Sequence, residues 1–240
     1  MLKRALRLSL LRRGGSAWTP AALSPDVWLE DDSAYLFQDA GKTTPAGVGD
    51  PVHVWATPGS TAGDWTAPGA GQRPTRQSDG LSADASDDRL AAATGLSIPN
   101  TSFTLYLVGT IASGSAWVTL CAAHNGYNSV QRDGDNAWRL TDVSSSLLVT
   151  GYDPAGPMIA RVRQVEGGLC YVRSTGLGEV AGGSAGNWTL DTLFANLDAA
   201  IRNGSASHRL RAVLLVKRAL AAGEDAQVQA YYAAKYGVSL

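Results

Sequence analysis

The chain has 240 residues, of which 45% are hydrophobic and 17% charged, and its formal net charge is −1. This length suits a single β-sandwich domain and is enough to bury a full core. The near-neutral charge argues against nucleic acid as a partner, and the lack of an apolar run of about 18 residues argues against a membrane span. The 27 glycines and 10 prolines favour many short strands joined by tight turns.

The first 13 residues are basic and amphipathic, with no acidic residue among them. Arg7 interrupts the apolar stretch and no clean small-residue cleavage site follows, which counts against a signal peptide. A transit peptide or a membrane-surface helix fits the charge pattern as well. An isolated helix of this length is marginal in water, so an ordered one needs a partner surface. We therefore favour an arm that docks on a neighbouring subunit, hinged at residues 14–16.

This arm divides the chain into two parts, a docking arm at residues 1–17 and a sandwich domain at residues 18–240. The leucines of the arm lie near one side of a helix, with basic residues elsewhere around it. A neighbour with an apolar groove and an acidic rim would complement both features. The predicted docking residues are Leu2, Leu6, Leu10, Leu11, Arg7, Arg12 and Arg13.

Strand-like runs alternate with turns through the middle of the chain. Residues 41–80 hold much of the glycine, proline and threonine, which predicts a long surface excursion with one strand near residues 52–55. Residues 165–168 separate two strand-like runs and predict a hairpin. Residues 188–201 predict either a short helix or a loop tucked under the sheet.

Residues 209–238 predict a buried strand followed by a short helix. The apolar run at 212–216 is bounded by basic residues, as expected of a strand covered on both faces. Glu224 and Asp225 suit the first turn of a helix, and Gly237 lies where a left-handed cap would end it. We expect tyrosines of this helix to seal one end of the sandwich.

Both ends of the chain also carry sequence motifs. The last strand is followed by R-x-L-x-x-x-E and then by a helix reading Y-x-x-x-K-Y-G. The residues of this ending are Arg218, Leu220, Glu224, Tyr232, Lys235, Tyr236 and Gly237. The motifs of the front lie in Leu23–Leu29, Val52–Trp55, Gly71–Pro74, Asp79–Leu81, Asp87–Leu90 and Phe103–Val108.

In this order the motifs resemble the concanavalin A-like lectin/glucanase (LamG-type) jelly-roll domains of bacteriophage virion proteins. The resemblance covers residues 18 to 238 and departs at residues 82–85, where the usual aromatic is missing. It implies an all-β fold, a concanavalin A-like jelly-roll β-sandwich with a short C-terminal helix, here preceded by the N-terminal arm.

The resemblance implies a structural or accessory protein of a phage or phage-like particle, either a decoration or a tail-associated protein. Its partners would be other virion structural proteins or further copies of itself, and its location the virion, assembled in the host cytoplasm. The alternative is a carbohydrate-binding adhesion module for host-surface glycans. An ordered arm favours the first function, because a free-standing lectin does not need one.

Catalysis is not expected. Glycoside hydrolases of this fold carry two or three carboxylates along one strand in the pattern E-x-D-x-x-E. The four glutamates of this chain do not form that pattern, and its three histidines are far apart in the sequence. We therefore predict that the chain is not an enzyme and consider a glycoside hydrolase the least favoured function.

Two features are candidate ligand sites. Residues 133–136 place Asp133, Asp135 and Asn136 as oxygen ligands around a glycine, which suits calcium, although Asp-Gly is equally a plain hairpin turn. Asp133 and Asp135 are the candidate metal ligands, and no other cofactor is predicted. Trp65 lies in a polar loop, where it would either stack on a sugar or pin the loop to the sandwich.

The two cysteines, Cys121 and Cys170, lie in apolar strand-like runs. Buried free thiols are favoured over a disulfide, because two cysteines do not define a disulfide scaffold.

Overall fold

A computed structural model describes most of the sandwich domain. The described residues are 18–59, 63–83, 87–98, 102–111, 118–122, 129–132, 138–141, 146–149, 156–165, 169–182, 188–194 and 208–239. The predicted docking arm at residues 1–17 lies outside them.

Strands dominate the described residues, which contain a single α-helix, α1 (Ala222–Tyr236), at the C-terminal end. The strands are β1 (Val27–Glu30), β2 (Leu36–Phe37), β3 (Val54–Trp55), β4 (Trp65–Thr66), β5 (Thr75–Gln77), β6 (Gly80–Ser82), β7 (Leu90–Ile98), β8 (Phe103–Ile111), β9 (Val118–Ala122), β10 (Ser129–Arg132), β11 (Trp138–Thr141), β12 (Ser146–Val149), β13 (Gly156–Gln164), β14 (Cys170–Ser174), β15 (Leu177–Gly182), β16 (Trp188–Leu193) and β17 (Arg209–Val216). No described helix has both the length and the apolar character that crossing a membrane requires.

The strands form two antiparallel sheets. Sheet I has the order β15-β14-β13-β8-β17-β6-β5, and β1 also pairs with β17. Sheet II has the order β12-β11-β10-β9-β16-β7-β4-β3-β2. Their inner faces bury one continuous core that includes Leu107 and Val213 from sheet I and Trp55 and Leu193 from sheet II. The expected β-sandwich with a C-terminal helix is confirmed.

Helix α1 lies on the outer face of sheet I. Val228 and Tyr232 of the helix join a second apolar cluster with outward-facing residues of β8 and β17, among them Tyr106 and Leu214. The expectation that helix tyrosines seal one end of the sandwich was therefore wrong. Alternate residues of these two strands are apolar on the outer face as well, so that face needs a cover of its own.

Charged contacts fasten both ends of the helix. Near its C-terminus, Glu30 is only 3% exposed and accepts hydrogen bonds from Lys235 and, at 2.9 Å, from Tyr231. At its N-terminus, Glu224 accepts hydrogen bonds from both terminal guanidinium nitrogens of Arg218, Nη1 and Nη2. It also accepts a 2.9 Å bond from the Ala221 backbone N–H. The bonds from Arg218 are the main reason why the pKa of Glu224 falls to about 2. The terminal motif residues thus act together as a helix anchor.

Two segments differ from the sequence prediction. The region 41–80 supplies the short strands β3, β4 and β5, rather than one strand in a long excursion. The region predicted as helix or loop begins with strand β16. Its register shifts between Leu190 and Thr192, so that Leu190 and Leu193 both reach the inner core. Because of this irregularity, two buried leucines lie three residues apart, a spacing that is also typical of a helix.

A close backbone approach inside sheet I requires a glycine. The pairing of β17 with β8 shifts register between Leu210 and Ala212, so Arg211 is the extra residue of a bulge. Gly109 of β8 lies against this bulge, and a Cβ atom there would overlap the Arg209 carbonyl oxygen. The bulge reverses the alternation, which leaves Leu210 in the inner core and Ala212 in the outer cluster.

We expect Gly109→Ala to lower the free energy of unfolding by at least about 3 kcal/mol, because two backbone segments must separate to admit the methyl group. Gly223→Ala is the matched control, since a Cβ there meets no atom within 4 Å. It lies in the first turn of α1 and should stabilise the chain by up to about 1 kcal/mol. Urea denaturation of both variants measures the difference, and equal stabilities would contradict the close approach.

Candidate functional site

A polar groove of about 500 Å³ opens on the outer face of sheet I, beside helix α1. Its floor comes from β8 and β13, one wall from the β14–β15 hairpin and the other from the helix. The lining residues that carry polar side chains are Tyr106, Arg161, Arg173, Ser174, Thr175, Glu179 and Gln229.

Strand alternation and a tight turn bring these residues together. In β13 the even-numbered Ala160 and Val162 face the inner core, so Arg161 and Arg163 project outward. β14 and β15 meet through a turn at Thr175 and Gly176, where Gly176 has φ of 75° and supplies the left-handed conformation. The turn folds β15 back at the edge of the sheet, which places the Glu179 carboxylate within reach of β13.

Arg161 is the centre of the site. Its guanidinium binds Asp225 at 2.5 Å through Nη1 and Glu179 through Nη2. The Arg161 side chain is only 8% exposed, compared with 13% for Asp225 and 34% for Glu179. One buried cation therefore ties the first turn of α1 to the edge strand β15.

Two further groups hold the Asp225 carboxylate. Tyr106 donates its hydroxyl proton to Asp225, and Gln229 donates from Nε2 at 2.8 Å, one helical turn further on. Burial and the neighbouring Asp225 carboxylate raise the pKa of Tyr106 well above its usual value. Burial alone would lower the pKa of Arg161, but its bond to Asp225 and the charge of that carboxylate raise it overall. Both raised pKa values keep Tyr106 a neutral donor and Arg161 a cation at neutral pH.

The edge of the groove carries more cations than anions. Arg163 binds Glu179 at 3.0 Å and covers one face of Tyr171, with 4.7 Å between its guanidinium carbon and the ring centre. Arg173 lines the groove and is exposed, and no ion pair joins it to any other described residue. Three guanidiniums thus face two carboxylates, and the uncompensated charge belongs to Arg173.

The two carboxylates of the site share one cation. Both carboxylates of the site are hydrogen bonded to the same arginine, so they do not form a free pair across an empty space. Within the ranges that the structure describes, no group of three or more His, Cys, Asp or Glu side chains could hold a metal ion. What the groove offers is a set of rigid donors and acceptors, which is how proteins recognise small polar ligands.

Trp65, the one predicted site residue that the structure describes, does not line this groove. Trp65 lies in β4 between β3 and β7 and is 0% exposed, so the expectation of an exposed stacking ring was wrong. Its alternative role, pinning the loop to the sandwich, agrees with that burial. The calcium candidates Asp133, Asp135 and Asn136 lie outside the described residues.

The predicted docking residues are likewise not described by the structure. They are Leu2, Leu6, Leu10, Leu11, Arg7, Arg12 and Arg13. The prediction of buried thiols is confirmed, because Cys121 and Cys170 are both buried and neither is in a disulfide. Burial raises the pKa of the Cys121 thiol to about 12.

Sequence reasoning missed the groove because its residues come from distant positions. In the sequence, the arginines of the site are only charges at alternate positions of apolar strands, a pattern that usually marks a solvated face. They are Arg161, Arg163 and Arg173. Glu179 was counted among the glutamates, and Asp225 was assigned to a helix first turn. The Thr175-Gly176 pair, flanked by strand-like runs, is a local signal for the second hairpin, which carries Arg173 and Glu179.

Comparison with known proteins places the fold but not a family. No protein-family model and no curated protein matches the sequence. The structure is similar to a Trypanosoma rangeli sialidase in complex with sialic acid, with a TM-score of 0.58 and 12% identity over 92% of this chain and 34% of that one. It is also similar to the ligand binding domain of botulinum neurotoxin serotype D in complex with N-acetylneuraminic acid, with a TM-score of 0.53 and 14% identity over 90% of this chain and 52% of that one.

These structures are longer than this chain, which spans about a third of the sialidase and about half of the toxin domain. At such low identity the likeness shows the fold alone. It places the chain among β-sandwich structures.

The buried charge network makes a sharp prediction about stability. We expect Arg161→Met to lower the free energy of unfolding by about 3 kcal/mol, because it leaves the mostly buried Asp225 without its cation. Arg163→Met is the matched control: it removes the other arginine on Glu179, which is more exposed, and should cost less than about 1 kcal/mol. Urea denaturation measures both, and losses of equal size would contradict the central role of Arg161.

Proposed function

We propose that this chain is a non-catalytic glycan-binding module and that the groove beside helix α1 is its binding site. Two of the structures with a similar fold are described with sialic acid or N-acetylneuraminic acid bound. That likeness supports a sugar as the ligand class and says nothing about where a sugar would bind here. The location rests on the groove itself.

The observation that carries the proposal is the rigid polar lining of the groove. Sugars present many hydroxyl groups, each of which needs a hydrogen-bond partner when it leaves water. Arg161 and Glu179 are planar groups that their mutual bond holds in place, so they lose little conformational entropy when a ligand arrives. Gln229 is held in the same way by its bond to Asp225.

The absence of catalysis is part of the proposal. Most glycoside hydrolases use one carboxyl group as acid and a second as nucleophile or base, whereas sialidases use a tyrosine nucleophile. Of the described carboxylates beside the groove, Glu179 and Asp225 are both engaged by Arg161, and Tyr106 donates its hydroxyl proton to Asp225. A ligand in the groove would therefore meet an arginine between two acids rather than a reactive pair.

Filling the groove tests the proposal. Gly178 lines it, and a Cβ on this residue meets no atom within 4 Å, so Gly178→Trp blocks the space without straining the fold. Gly71→Trp is the matched control, because Gly71 is equally open and lies outside the groove. We expect the unmodified chain and Gly71→Trp to bind oligosaccharides in a glycan array and in calorimetry, and Gly178→Trp to bind at least about tenfold more weakly.

Two results would contradict the proposal. If the unmodified chain binds no glycan, the proposed function is wrong. Equal binding by the two tryptophan variants would show that sugars bind elsewhere on the sandwich.

A second candidate function is that of an accessory protein of a phage-like particle, located in the virion and docked through the arm at residues 1–17. One observation favours it: the terminal motif residues that carry the resemblance to virion jelly-roll domains also anchor the helix, as the bonds of Arg218 and Lys235 show. A glycan-binding sandwich and a virion location are compatible, since such a module would serve adhesion to a cell surface.

Truncation tests the second candidate. We expect a chain lacking residues 1–15 to unfold at nearly the temperature of the full chain, because the predicted arm docks on a neighbouring subunit. Its copy number in assembled particles should fall to background. Normal incorporation would refute the docking role, and loss of the folded domain would show that the arm is part of the core.

A further inference from the structure

We propose that the groove selects sugars that carry a carboxylate, and that Arg173 is the residue that receives this carboxylate. The inference rests on the proposed glycan-binding function and adds the class of sugar and the residue that determines specificity. Sialic acids and uronic acids share the required chemistry.

The balance of charge around the groove favours an anionic ligand. Arg161 and Arg163 are both paired with acids of the site, and together they hold the two oxygens of Glu179. Glu179 is thereby compensated and repels an anion less than a free carboxylate would. Arg173 keeps its full charge at the mouth of the groove, so the local field favours an anionic ligand.

The geometry and position of Arg173 also suit a carboxylate ligand. A guanidinium presents paired donors that match the two oxygens of a carboxylate, which makes arginine the usual partner for bidentate recognition. Arg173 lines the groove directly and is exposed, so a ligand reaches it without displacing a protein carboxylate. Its strand is held on both sides by β13 and β15, which limits the movement of its backbone.

The test uses the full chain and three probes: sialyllactose, an oligogalacturonide and neutral lactose. We expect at least one acidic probe to bind more tightly than lactose in calorimetry, with an affinity that falls between about 50 mM and about 500 mM NaCl. Arg173→Gln should weaken the acidic probe at least about tenfold and leave lactose unchanged, whereas Arg173→Lys should restore part of the loss. Lys42→Gln is the control for net charge, because it removes one cation from a loop of sheet II.

The results separate the two proposals. If lactose binds as tightly as both acidic probes, or if Arg173→Gln weakens all probes equally, the selectivity for acidic sugars is overturned while glycan binding stands. If no probe and no glycan of an array binds, both proposals fall. Preference for only one acidic probe identifies the source of the carboxylate and supports the inference.

Discussion

The buried guanidinium of Arg161 is the contact on which the outer layer of this protein depends. Sheet I would close the sandwich without it, since the inner core is mostly apolar. The outer face is different, because a helix and a hairpin must be held at a fixed separation over it. Arg161 does this by binding an acid from each, Asp225 of the helix and Glu179 of the hairpin. The groove is the space that this separation leaves.

A buried ion pair of this kind is weak evidence for stability but good evidence for position. Desolvation of the three charged groups offsets much of their attraction, and an apolar replacement of similar volume could pack as well. What an apolar cluster would not supply is direction. Hydrogen bonds from Tyr106 and Gln229 fix Asp225, and Arg163 fixes Glu179, so both carboxylates beside the groove have a defined orientation. That orientation is the basis for proposing a binding site there.

The sequence predicted the features that depend on local pattern. The apolar run of β17 and the helix that follows it were recognised from periodicity and from the cap at Gly237, whose φ of 68° is left-handed. Strand β16 was not recognised, because a register shift between Leu190 and Thr192 breaks the alternation. The helix position was missed because an apolar helix face does not tell which apolar surface it covers.

The site was beyond prediction for a related reason. Strand order brings Arg161 and Glu179 together, and nothing in the spacing of the sequence specifies that order. Trp65 was mispredicted for the same reason. Its exposure depends on the strands beside it, and β3 and β7 flank it on both sides. Arginines without any predicted role line the groove, and Trp65, a candidate sugar platform, lies in the core.

The most direct measurement of the central claim is chemical-shift mapping by NMR of the full chain during titration with an acidic oligosaccharide. We expect the amide shifts that change to cluster around Arg161, the segment 173–179 and Gln229, and these changes to become smaller together in Arg173→Gln. Changes confined to the strands of sheet II, with the β14–β15 hairpin unaffected at saturation, would contradict the assignment of the groove as the binding site.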